Sequence, residues 1–136
     1  MIKYWNPQRI RRVRERKERV KELIAQRVME ETIRQQTYTP GDTRKNARLM
    51  LDALGLPLRR RMLARLAREG AMSVSKLAEP FRITLPAALS HVRILERAGM
   101  VATQKRGRVR MCVYDPRALK ELVVVLGSTR VLHSLN

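Results

Sequence analysis

The run from Ile83 to Gly99 restricts this chain more than any other part of it. Thr84 places a hydroxyl where the free N–H groups of a helix start need an acceptor. Pro86 suits a first turn, whose N–H groups have no helical partner. Ala88, Val92 and Leu95 recur at helical spacing and make one apolar face. Gly99 stops the helix. Positions 86, 90, 93 and 97 fall on the opposite side, which faces away from a core.

A shorter helix precedes this one. Ser73 or Ser75 caps it, Val74, Leu77 and Ala78 are its apolar residues, and Pro80 and Phe81 close it. A basic hairpin follows: Val101 to Thr103 and Val109 to Tyr114 alternate as strands do, and Lys105-Arg106-Gly107-Arg108 turns between them. Gly107 is free to take the positive φ of a tight turn. Helix, turn, helix and ribbon, in that order, suit the insertion of one helix into a major groove with the ribbon beside it.

The rest of the chain is helical in pattern. Residues 7–36 hold one long helix with Pro7 in its first turn and a thin apolar stripe of Ile10, Val13, Val20, Leu23, Ile24 and Val28. Glu15–Arg19 and Glu30–Arg34 are spaced as i,i+4 ion pairs. So thin a stripe does not hold a long helix alone, so it should dock on the domain, on a second copy or on nucleic acid, with Tyr4 and Trp5 as candidate anchors. Thr37 to Thr43 is a turn or linker, and Asp42 or Thr43 can cap a helix carrying Ala47, Met50, Leu51 and Leu54 that ends at Gly55. Pro57 to Glu69 is the next helix, with Leu58, Met62, Leu63 and Leu66 inside and Arg59, Arg60, Arg61, Arg65 and Arg68 outside. Asp115 caps a last helix from Pro116 that carries Leu119, Leu122, Val123 and Leu126, with Val131 and Leu132 as possible extensions beyond Gly127. The expected fold is mostly α: a winged helix-turn-helix with a two-stranded β wing and an additional long N-terminal helix. Residues 1–45 form a basic arm and linker, and 46–136 the winged domain with a C-terminal dimerisation helix.

Charge points to the partner. The 136 residues carry 30 Lys and Arg against 12 Asp and Glu, a net of +18. Too few acids are present to neutralise that excess internally, so a polyanion is expected. Charge alone does not separate DNA from RNA, because phosphate attraction is blind to sequence. No apolar run approaches the roughly 20 residues needed to span a bilayer, and the amino terminus lacks the apolar centre of a signal peptide. The single cysteine, Cys112, rules out an intrachain disulfide framework. A cytoplasmic, nucleoid-associated protein is expected on this reading.

The residues expected to contact double-stranded DNA lie in two groups. Thr84, Leu85, Pro86, Leu89, Ser90 and Arg93 belong to the long reading helix and its start. Thr84 and the free N–H groups can hold a phosphate, Ser90 can meet a base edge, and Leu85 and Leu89 can touch thymine methyls or pack in the core. Lys105, Arg106, Arg108 and Arg110 are the cations of the hairpin, suited to phosphates or a minor groove. His91 has no nucleophile or carboxylate beside it in sequence and reads as a core-edge residue that hydrogen-bonds there. Cys112 reads as a buried thiol, with a redox switch as the alternative. No Walker loop, metal-ligand spacing or nucleophile–base pair is visible, so neither catalysis nor a cofactor is expected.

Four joined pieces resemble the ArsR/SmtB group of winged-helix bacterial repressors over about residues 47–126. These are Leu54 to Leu63, Ser73 to Phe81, Leu85 to Val101, and Gly107 to Pro116. The resemblance implies a homodimer through N-terminal and C-terminal helices, a palindromic operator, and repression relieved by an inducer that the sequence does not name. The family's thiolate metal site places paired cysteines on the helix that is Ser73 to Phe81 here, where none is present. Its carboxylate–histidine site needs several ligands, and only His133 lies near the last helix. No metal is therefore expected. The competing reading is a non-specific nucleic-acid-binding protein, architectural or RNA-binding, motivated by the basic N-terminal helix.

Overall fold

The computed structural model describes residues 5–37 and 43–127. Its elements are α1 (Pro7–Thr37), α2 (Thr43–Leu54), α3 (Pro57–Glu69), β1 (Met72–Ser73), α4 (Val74–Ala78), α5 (Leu85–Arg97), β2 (Val101–Arg106), β3 (Val109–Tyr114) and α6 (Pro116–Leu126). Tyr4, the proposed cap Asp42, most of the Thr37–Thr43 turn, Val131, Leu132 and His133 lie outside the described residues.

Local signals set most boundaries. Asn6 Oδ1 accepts from Gln8 N–H at 2.9 Å and starts α1. Ser73, rather than Ser75, caps α4, its Oγ accepting from Lys76 N–H at 3.1 Å. Asp115 Oδ1 accepts from Arg117 N–H at 3.0 Å at the start of α6. Each cap satisfies an N–H that the helix itself leaves free.

The sheet is antiparallel with order β1-β3-β2. The two-residue strand β1, which pairs Met72 with Cys112 and Ser73 with Met111, adds a third strand to the expected two. The wing is also longer than the sequence indicates: β2 continues to Arg106, and Gly107 and Arg108 alone form the turn. Gly107 has φ +61.

The two faces of the sheet have different covers. Val101 and Cys112 join the main core with Met62, Leu66, Leu77, Val92 and Leu95. Ala102 and Val113 point to the other face, where Ile33 and Met29 of α1 lie on them. Glu30 fixes this docking, its Oε1 accepting from Ala71 N–H at 2.7 Å. Arg34 Nε donates to the Tyr114 carbonyl at 3.1 Å, and Arg117 Nη2 donates to the Arg34 carbonyl at 2.5 Å.

This docking corrects the stripe expected to seat α1. Ile10, Val13, Val20, Leu23, Ile24 and Val28 are all exposed. The face that docks is Gln26, Met29, Glu30, Ile33 and Arg34, where one isoleucine and several polar contacts match the sheet. Trp5 is 66% exposed and anchors nothing among the described residues. The Glu30–Arg34 ion pair forms at 3.6 Å, but Glu15 pairs with Arg11 at 2.9 Å instead of Arg19.

Candidate nucleic-acid interface

The chemistry of α5 divides along its axis. Ala88, Val92 and Leu95 are buried and hold the helix to the core. Thr84 caps it, its Oγ1 accepting from Ala87 N–H at 3.3 Å. Thr84, Leu85, Pro86, Ser90 and Arg93 are exposed. The amino end of α5 therefore presents a hydroxyl, the Leu85 N–H and a 47%-exposed leucine to solvent. Leu89 is half-buried and packs on the core, so it belongs partly to the helix's seat. Arg82, exposed and with φ +52, precedes the cap and adds a cation that the sequence reading did not include.

The wing stands beside α5 and forms a groove of about 270 Å³ with it, lined by Leu89, Arg93, Glu96, Arg97, Thr103 and Arg110. Lys105, Arg106, Arg108 and Arg110 are all exposed. Lys105 and Arg110 are cross-strand partners on the face that also carries Thr103 and Cys112. Arg106 lies on the other face, and Arg108 sits in the turn rather than in the strand. The hairpin thus spreads its cations around its tip.

Two residues that sequence reasoning passed over orient this groove. Thr103 Oγ1 donates to Glu96 on α5, and Arg110 Nη1 donates to Thr103 Oγ1 at 3.0 Å. The chain Glu96–Thr103–Arg110 ties the wing to the helix and holds one guanidinium at the groove. Its signal in the sequence was only a polar residue at an alternating strand position, which carries no information about its cross-element partner.

His91 is half-buried, but its Nδ1 makes no hydrogen bond among the described residues, unlike the bonded core-edge residue expected. Burial first, and the Arg59 guanidinium second, hold it below the ordinary imidazole value. Cys112 is fully buried, with Sγ 3.2 Å from the Met72 carbonyl. Burial, then Glu96, push its thiol up to about 12, so it is no thiolate at neutral pH. Among the described residues no three His, Cys, Asp or Glu side chains gather as metal ligands. No helix among them is long and apolar enough to cross a membrane.

Comparison with known proteins places this arrangement. A family model described as a helix-turn-helix domain matches residues 54–104. The crystal structure of an ArsR family transcriptional regulator is similar at 32% identity and a TM-score of 0.57, over 73% of this chain and 99% of that one. A possible transcriptional regulator for arsenical resistance is similar at 30% identity and a TM-score of 0.52, over 62% of this chain and 91% of that one. An ArsR-like transcriptional regulator from Rhodococcus sp. RHA1 shares the fold at 23% identity and a TM-score of 0.55, over 66% of this chain and 82% of that one. No curated protein matches the sequence.

Proposed function

The chain belongs to the ArsR family of winged-helix transcriptional regulators, and from that premise we propose that it is a repressor that binds a palindromic operator as a homodimer. The observation that carries this reading is the cationic groove between α5 and the wing, continuous with the exposed amino end of α5. In this reading α5 enters a major groove. Thr84 and the Leu85 N–H hold a phosphate, and Ser90, with Leu85, Pro86 and the outer part of Leu89, meets base edges. Arg93, Lys105, Arg106, Arg108 and Arg110 neutralise backbone phosphates around that insertion. Residues 46–136 act as the DNA-binding and dimerisation unit, and residues 1–45 as a basic arm.

The homodimer rests on α2 and α6, which pack on each other. On α6, Leu119, Val123 and Leu126 recur at i, i+4 and i+7 beside the buried Ala118, Leu122 and Val125. Val123 is 67% exposed, and Leu126 and Leu51 of α2 are exposed too. An apolar strip that a folded chain leaves in water is suited to a second copy. Two copies of α5 one DNA turn apart, about 34 Å, then read two half-sites.

Selection of bound sequences from a random duplex library at stated salt tests this reading. The expected result is an enriched inverted repeat. Ser90→Ala should alter preference among the selected sequences, whereas Arg108→Ala should weaken all of them and reduce the salt slope by about 0.9. No enriched motif, or equal loss for every sequence from both variants, favours the non-specific architectural or RNA-binding alternative.

A further inference from the structure

We propose that the projecting part of α1, from Arg9 to Arg27, is a second contact for duplex DNA, gripping backbone phosphates beside the segment held by α5 and the wing. The proposal rests on the DNA-binding reading above, but it assigns a surface that α5 and the wing do not include.

Three observations carry it. First, α1 is anchored at one end only. Glu30, Ile33 and Arg34 seat its last third on the sheet, while every residue from Trp5 to Ala25 is exposed. Residues 7–25 at about 1.5 Å each extend about 28 Å as helix. A duplex carries one phosphate charge per about 1.7 Å of its axis, so a rod of that length can meet several phosphates.

Second, the acids of the rod are confined to one side, while its cations run all round it. At about 3.6 residues per turn, Glu15, Glu18 and Glu22 share one side. Arg9, Arg16, Lys17 and Arg27 lie on the other, with Arg14 at its border. Glu15 engages Arg11 at 2.9 Å and Glu18 engages Lys21 at 3.3 Å. Arg9, Arg14, Arg16, Lys17 and Arg27 have no carboxylate within ion-pair distance among the described residues. On that side Lys17 is turned away from the face that docks on the sheet, and Arg16 shares the helical phase of Arg34 at that face's edge.

Third, the apolar residues on that side do not suit a copy of the same helix. Lys17 interrupts the row of Ile10, Val13, Val20 and Ile24, and Arg9, Arg16 and Arg14 border it. Pairing two such rows would bury Lys17 and set like charges against each other. A polyanion removes that repulsion and leaves the short apolar side chains against sugar faces.

The test uses the full chain, a random-sequence duplex of about 40 base pairs, and affinity measured across a salt series. In Arg9→Gln/Arg14→Gln/Arg16→Gln/Lys17→Gln every substituted side chain is exposed, and glutamine keeps the helix, which circular dichroism checks. The salt slope should fall by about two to four units, at about 0.9 per phosphate released. A parallel Arg106→Gln/Arg108→Gln variant reports on the wing. An unchanged slope in the arm variant beside a reduced one in the wing variant overturns this proposal and leaves the winged-helix reading intact. The reverse pattern supports the arm and removes the wing. Should Ile10→Ser/Val20→Ser/Ile24→Ser halve the solution mass while the arm variant keeps the parent slope, the surface belongs to a second copy and the proposal fails.

Discussion

Arginine does two jobs in this chain, and only position separates them. Arg59 Nε donates to the Ala53 carbonyl at 2.7 Å and Arg60 Nη1 to the Leu54 carbonyl at 2.6 Å, closing the carboxyl end of α2. Arg65 Nη1 donates to the Leu77 carbonyl at 3.1 Å and does the same for α4. Side chains that read as a solvated basic rim are thus fixed to backbone carbonyls that their helices leave open. Arg106 and Arg108 are exposed and make no such contact among the described residues. His91 lies near Arg59, and its depressed pKa has a consequence for stability. The unfolded chain binds a proton here near the ordinary value of 6.5, and the folded chain only at lower pH. The contribution to stability is therefore complete above pH 6.5 and is lost as pH falls through the lower, folded value. Urea unfolding followed from neutral to mildly acidic pH should show that decline, and His91→Gln should flatten it. Equal slopes for both proteins would assign the decline to other groups.

At the scale of elements, the caps were the most legible feature, because Thr84, Ser73 and Asp115 act on N–H groups two or three residues away. The order of helices and the positive φ at Gly107 follow from equally local chemistry. What the sequence did not display is set by distant partners. Strand β1 is two residues long and exists because β3 offers it a ladder. The docking face of α1 is chosen by Ala71, Ala102 and Val113, so its own apolar stripe misdirects. Of the DNA-contact candidates, the exposed ones were legible from helical phase, while the Glu96–Thr103–Arg110 chain needed the fold. Gly70 shows the same dependence. It has φ +88, and a Cβ there would stand 2.4 Å from Gln26 Nε2 and 2.8 Å from Glu30 Oε1. Gly70→Ala should cost about 1–3 kcal/mol from the backbone alone, with the crowding against α1 added. Gly107→Ala, where nothing lies within 4 Å of the added carbon, should cost less. Thermal melts of the pair check this, and equal losses would mean that α1 does not press on Gly70.

For the molecule as a whole, the proposed homodimer through the exposed strip of α6 predicts that affinity for DNA depends on assembly. Val123→Glu adds a charge at a site open to water in the single chain, so the protomer should still fold. In a dimer it places two carboxylates in an apolar seam. Sedimentation should show half the parent mass, and operator affinity should drop by more than tenfold as one half-site is lost. Retention of the parent mass would move the interface elsewhere. The seat of α1 has a further consequence, for the order of events on the ribosome. Arg34 bonds to a carbonyl 80 residues later in the chain, and receives one from a guanidinium 83 residues later. Helix α1 therefore waits, with its isoleucine in water, until Tyr114 and Arg117 have emerged, and its closure on the sheet follows the making of β3 and the start of α6.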